Sequence, residues 1–315
     1  MFKFPNIPNV DSLVLPYLQS LVLEGFPNSD IKYLSFRNEE CQLSFDNFAN
    51  TLISSIGKKY LPIVRLSDGE YLFLLGEKPP SRRNQLYIIF FLKYIKFLFR
   101  KILKNNFVAN TLPGVSSGSY SKSELNASHK NIVSILRDIS NSGYLALHLT
   151  YAEKPFQEKF HKDLFELFKL SDIDLNSNNY VPFYFIYALF TFPKYRQSLF
   201  WGKDILLINS FDDSKKSRIE KTLFSFGCNT LQWINLSNSR SLYDILPNLN
   251  YINNLDLILI GAGVGKFNIF NQLNKLNLLI PVVDVGVLFE LWADGNLSCT
   301  RPFIYNENII YTTRN

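Results

Sequence analysis

The sequence predicts an α/β protein, with a mostly parallel sheet flanked by helices on both faces. Three observations predict it. Short apolar runs at 62–66, 143–149, 204–209, 255–260 and 279–284 read as strands buried on both faces. Segments with helical spacing separate them, the alternation that yields parallel strands joined by crossovers. Several runs end in turns rich in glycine, acid or hydroxyl residues, where open α/β sheets build their sites.

Each element follows from local pattern. Residues 1–45 carry Pro5, Pro8, Pro16 and Pro27, which break any long helix. They read as an amino-terminal extension packed on a main domain of residues 46–315. Residues 44–56 place Phe45, Phe48, Leu52 and Ile56 on one helical side and lead into the strand at 62–66. Residues 86–104 form a basic amphipathic helix, with Lys93, Lys96, Arg100 and Lys104 on one side. It is either a core helix with a solvated face or a peripheral contact to an anionic membrane. A short strand at 107–109 and a Gly/Ser/Pro loop follow, then a helix at 123–140 and the strand at 143–149. A helix at 158–169 and a polar loop at 170–179 come next. Residues 181–189 are an aromatic-rich segment ended by Pro193, read as filled core. After the strand at 204–209, residues 210–218 read as a polar loop before a helix at 219–226 and a strand at 229–234. A short helix at 242–250, the strand at 255–260, a helix at 267–276 and the strand at 279–284 complete the series.

Composition narrows the classes. The 315 residues are 47% hydrophobic and 19% charged, which is globular and long enough for a full core. A net charge of +6 is compatible with anionic partners such as nucleotides, phosphates or acidic lipids, without choosing among them. Cys41, Cys228 and Cys299 form no zinc spacing and no disulfide framework, which fits a reducing cytosol. No signal peptide pattern and no uncharged run of membrane-spanning length is visible, so the expected location is cytoplasmic, with the inner membrane face as an option through 86–104. No arginine-rich aromatic repeat suggests nucleic-acid reading.

The stretch most in need of explanation is Asp68-Gly69-Glu70 at the end of the 62–66 strand, with Arg65 just upstream. Residues two apart in an extended chain project to one side, so both carboxylates can aim at one point. Two such oxygens suit Mg2+ or Mn2+. The same triplet also reads as a turn in which Asp68 caps a helix. Ser210, Lys216 and Arg218 lie between a strand and a helix start, and either hold a phosphate or form a solvated turn. Gly261 to Lys266 lacks Walker spacing and has G-x-G-x-G in place of the dinucleotide fingerprint. Its small residues, Gly261 and Gly263 among them, let backbone amides face a nucleotide diphosphate, or else make a tight turn.

Arg65-Leu66-Ser67-Asp68-Gly69-Glu70 resembles the R-[FY]-G-D-G-E signature of bacterial GT-D type glycosyltransferases. The likeness continues at 201–208, a Gly-Lys start to an apolar strand. It returns at 257–286, a strand, small-residue loop, helix, and strand ending in Asp284-Val285-Gly286. This resemblance implies a single Rossmann-like domain that transfers a sugar from a nucleotide-sugar donor to a glycan or glycoconjugate acceptor. It implies that Asp68 and Glu70 handle the donor and its divalent metal, with Arg65 supporting the motif or the phosphates. Ser67 stands where the family commonly has glycine. Val287 to Glu290 follow where the family often places histidine.

An inverting transfer needs a base for the acceptor hydroxyl, and Glu153, Asp284 and Glu290 are candidates by position, with Glu290 taken as catalytic. The expected donor contacts are Arg65, Gly69, Ser210, Lys216, Arg218, Gly261, Gly263 and Asp284. Two other readings belong to other classes: a non-catalytic nucleotide-binding partner in a glycan-assembly complex, and a dinucleotide-dependent oxidoreductase using the 261–266 loop. Oligomeric state has no signal in the sequence.

Overall fold

The structure, a computed structural model, describes residues 21–25, 32–36, 39–66, 70, 74, 122–147, 164, 167–176, 178–237, 241–247, 249, 254–294 and 309–311. The first element among the described residues is β1 (Leu21–Gly25), which pairs antiparallel with β2 (Lys32–Phe36). The carboxyl-terminal strand β10 (Ile309–Tyr311) pairs parallel with β2 and completes a separate three-stranded sheet. No local pattern announced this sheet, because it joins segments from opposite ends of the chain. Helix α1 (Glu39–Ser55) follows β2, so the expected boundary after residue 45 falls inside a helix.

The main sheet is wholly parallel. Its strands are β3 (Leu61–Leu66), β4 (Tyr144–Leu147), β5 (Tyr180–Pro182), β6 (Asp204–Asn209), β7 (Thr230–Asn235), β8 (Leu257–Gly261) and β9 (Pro281–Asp284), in the spatial order β5-β4-β3-β9-β8-β6-β7. Six parallel pairings hold it together. The physical reason for the apolar runs is visible in the burial. Val64, Leu66, Ile258, Ile260 and Val282 enter the core on one face, and Leu61, Ile63, Leu257, Leu259 and Val283 enter the core on the other. Each fully buried aliphatic side chain contributes roughly 1.5–3 kcal/mol of transfer free energy.

One face is covered by α2 (Lys122–Ser142), through Ile132, Ile135, Leu136 and Ile139, and by α6 (Lys266–Leu273). The other face carries α1, α3 (Phe183–Thr191), α4 (Pro193–Phe200), α5 (Asp213–Ser225) and α7 (Leu288–Asp294). Among the described crossovers, those running toward the β5 edge use the first face and those running toward the β7 edge use the second. A single handedness of crossover requires this division. It also puts a topological switch point, where open α/β sheets bind their ligands, at the carboxyl ends of β3 and β9. The helix after β3 lies on one face of the sheet and the helix after β9 lies on the other.

Several local expectations change. Pro193 does not simply end the aromatic segment; it is the first residue of α4, where its missing N–H costs nothing. Residues 213–218 are helix and not loop, because the Asp212 carboxylate accepts from the Lys215 amide and starts α5 there. The helix expected at 242–250 is a single 3-10 turn at Ser241–Tyr243. Helix α7, directly after the Asp284-Val285-Gly286 turn, was not foreseen. The basic helix at 86–104, the strand at 107–109 and most of the expected 158–169 helix lie outside the described residues.

Candidate active site

Arg65 is the one charged residue of β3, a strand buried along its whole length. Its side chain lies among Phe183 and Tyr187 of α3, with the guanidinium carbon 5.1 and 5.2 Å from the two ring centroids. Arg65 Nη1 donates to the Tyr187 hydroxyl at 2.8 Å. Nη2 donates to Asp284 Oδ1 at 3.2 Å, and the Arg65 backbone N–H donates to Asp284 Oδ2 at 3.2 Å. Asp284 ends β9, the strand paired directly with β3.

Lys266 closes the cluster from the other side. It is the first residue of α6, and its ammonium donates to Glu70 Oε1 at 2.7 Å, to Asp284 Oδ2 at 2.8 Å and to the Arg65 carbonyl oxygen. Arg65, Glu70, Lys266 and Asp284 are all at most 6% exposed. Two cations and two carboxylates cancel, so the quartet is neutral as a unit. Burying them unpaired would cost several kcal/mol per ion.

The titration shifts follow this geometry. Burial pulls the Lys266 ammonium toward the neutral form, but Asp284 and Glu70 outweigh it and its pKa is raised. Burial pushes Asp284 upward, yet Arg65 and Lys266 together hold its carboxyl below the ordinary aspartate value. Arg65 moves further from deprotonation despite its burial, chiefly through Asp284. Arg65, Lys266 and Asp284 are therefore ionised at neutral pH.

Glycine at 286 is explained by the same cluster. Its φ is +44°, and a Cβ there would lie 1.8 Å from Arg65 Nη2. The D-x-G turn thus supplies the carboxylate with its first residue and room for the guanidinium with its third. Gly261 is similarly crowded, since a Cβ would come within 2.5 Å of the Phe289 ring. Gly263 has a left-handed φ of 51° at the 3-10 turn that leads into α6.

The structure brings Arg65, Glu70 and Asp284 together. Asp68 and Gly69 lie outside the described residues, as does Glu153. Ser210 follows β6 and is half-buried. Lys216 and Arg218 point elsewhere on α5: Lys216 pairs with Asp213 at 3.2 Å, and Arg218 pairs with Asp294 at 3.0 Å and donates to the Ala293 carbonyl, tying α5 to α7. Glu290 is exposed on the first turn of α7.

Two residues were missed as site members. Lys266 stood in the sequence at the end of the small-residue loop, but only the tertiary fold aims it at Glu70. Asn209, at the end of β6, is fully buried; its Oδ1 accepts from the Phe211 amide while its Nδ2 has no partner. Arg65 Nε is likewise buried and unpartnered. Such orphan donors are uncommon and are candidates for a ligand's oxygens.

A divalent cation fits Glu70 poorly. The described residues contain no group of three metal-ligating side chains. The Glu70 carboxylate already holds the Lys266 ammonium. A dication about 4 Å from that ammonium would meet a repulsion of about 8 kcal/mol at an effective dielectric constant of about 20. A depression of about 410 Å³ lies at the opposite, amino ends of β3 to β5, beside Lys59, Ser140, Asp174 and Asn179. Asn179 there is engaged with Asn176 and the Asp174 carbonyl, and the depression shares no residue with the quartet.

No family model matches the sequence, and no curated protein matches it. Three solved structures align with most of the chain. One is described as a domain of unknown function 1792, with 16% identity over 85% of this chain and 95% of its own, at a TM-score of 0.45. A second, described as that domain with a distinct glycosyltransferase fold, shares 15% identity over 86% and 94%, at 0.45. A third, described as a new glycosyltransferase from Streptococcus sanguinis, shares 15% identity over 86% and 98%, at 0.46. At this distance the likeness carries no argument about this chain's site, which stands on its own geometry.

Proposed function

We propose that the chain is a glycosyltransferase that moves a sugar from a nucleoside-diphosphate donor to a hydroxyl of a glycan or glycoconjugate acceptor. The observation that carries this reading is the meeting of Arg65, Glu70 and Asp284. They come from two parts of the signature that the sequence resembles, up to 219 positions apart, and they join through Lys266 in one hydrogen-bonded cluster at the ends of two neighbouring parallel strands.

The leaving nucleoside diphosphate gains negative charge as the glycosidic bond breaks. Cations and donors already in place stabilise that charge without reorganising. In this reading Arg65 and Lys266 set the positive side of the site, while Asp284 fixes their positions. Arg65 Nε and Asn209 Nδ2 are the described buried donors left for the ligand. Asp284 is a poor general base, since two cations hold its proton affinity down. Glu290, exposed on α7, is the residue proposed to take the acceptor proton. Ser210, Gly261 and Gly263, at the ends of β6 and β8, line the donor's path in this reading. A metal held by Asp68 was expected with Glu70 as its second ligand; no step here is routed through it, because Glu70 is already paired.

The test is a panel of nucleoside-diphosphate sugars, scored for release of the nucleoside diphosphate. At least one donor should turn over, and Glu70→Gln and Arg65→Met should each lower kcat by at least about 100-fold while preserving the fold. Glu290→Gln should lower kcat by about 100- to 10,000-fold. Failure of every donor either to bind or to turn over would overturn the proposal.

A further inference from the structure

We infer that Lys266 is the resident cation of this site: its ammonium fills the seat between Glu70 and Asp284 that a divalent ion would otherwise take, and Glu70 is not a metal ligand. The inference rests on the transferase reading only for its catalytic consequence, which is transfer without a metal on Glu70.

The geometry is that of an ion-binding seat. Three oxygens from two distant parts of the chain converge on one point: Glu70 Oε1 at 2.7 Å, Asp284 Oδ2 at 2.8 Å and the Arg65 carbonyl. Carboxylate and carbonyl oxygens are the ligands that hard dications choose. Here they receive the three protons of an ammonium, which leaves Lys266 no donor unused. The seat is closed, with Lys266 2% exposed. Its charge is also balanced, since Arg65 offsets the second carboxylate through Asp284 Oδ1 at 3.2 Å. A dication added at Glu70 would leave the quartet with an uncompensated positive charge.

Lysine suits the role because the ammonium is a compact point charge on a flexible stem. The stem reaches the seat from the start of α6, so the cation is covalently part of the helix that follows the β8 loop. Closing α6 onto the sheet and filling the seat are then one event.

The test is Mn2+ binding to the full chain, read by electron paramagnetic resonance with no donor present. The wild type and Glu70→Gln should give the same Mn2+ isotherm. Lys266→Ala empties the seat and should gain one bound Mn2+, which Lys266→Ala/Glu70→Gln loses. Lys266→Met fills the seat with a thioether and should gain none. A wild-type Mn2+ site weakened tenfold or more by Glu70→Gln would overturn the inference, as would a folded Lys266→Ala protein that binds no Mn2+. If Lys266→Ala does not fold, the wild-type and Glu70→Gln pair decides alone. These readouts are independent of turnover. Inactivity toward every donor sinks the transferase reading and leaves this one standing, and Mn2+ on Glu70 does the reverse.

Discussion

Replacing Gly286 with alanine probes the link between the D-x-G turn and the buried arginine. Gly286 has φ +44°, and the added Cβ would lie 1.8 Å from Arg65 Nη2 and 3.5 Å from Asp284 Oδ1. Two costs follow. An L-residue in the left-handed region loses about 1–2 kcal/mol. The guanidinium must also move, which breaks its 3.2 Å contact with Asp284. Separating a buried ion pair costs about 3–5 kcal/mol. Gly286→Ala should therefore destabilise by about 4–7 kcal/mol. In an Arg65→Met background the collision is gone, and the same change should cost only the backbone term of about 1–2 kcal/mol. Urea unfolding of the four proteins of this cycle measures the difference, provided the slopes agree. A coupling energy of about 3 kcal/mol or more is expected. A coupling within about 0.5 kcal/mol of zero would mean that Arg65 does not press on Gly286, and the account of the turn would be wrong.

Other expectations can be checked directly. Gly143→Ala would put a Cβ 1.9 Å from the Pro62 carbonyl oxygen, backbone against backbone, and should cost about 3 kcal/mol or more in urea unfolding; an unchanged midpoint would refute the contact. Asp284 has a depressed folded pKa, so its stabilisation is complete above the ordinary aspartate value of 3.8 and is lost as pH falls through the lower folded value. The acid arm of the stability curve should accordingly flatten in Asp284→Asn, and an arm of wild-type steepness would contradict the sign. Burial pushes the Cys228 thiol up to about 12, so in a Cys41→Ser/Cys299→Ser protein it should resist a disulfide reagent until unfolding; fast labelling of the native protein would refute this.

Much of the fold was legible because parallel strands buried on both faces leave a plain trace. The runs at 62–66, 204–209, 255–260 and 279–284 each become a strand; 204–209 keeps both its bounds, and the others shift by at most two residues at an end. Helix starts were less legible. The cation-rich 210–218 stretch looked like a loop because its polar face is solvated, yet Asp212 caps it and the helix begins at Asp213. Lys216 and Arg218 thereby become surface partners of Asp213 and Asp294, a role that no local pattern distinguishes from phosphate binding.

Composition and periodicity alone determined the α/β class, the parallel sheet and the carboxyl-end location of Arg65, Glu70 and Asp284. They could do so because burial on both faces and turn chemistry are local properties, written within a few residues. Strand order, the pairing of β2 with β10 and the seat filled by Lys266 were decided only in three dimensions. Each depends on contacts between residues far apart in the chain. Lysine at 266 reads as a surface cation beside a small-residue loop until α6 packs on the sheet, where burial and three oxygens make it the centre of the cluster.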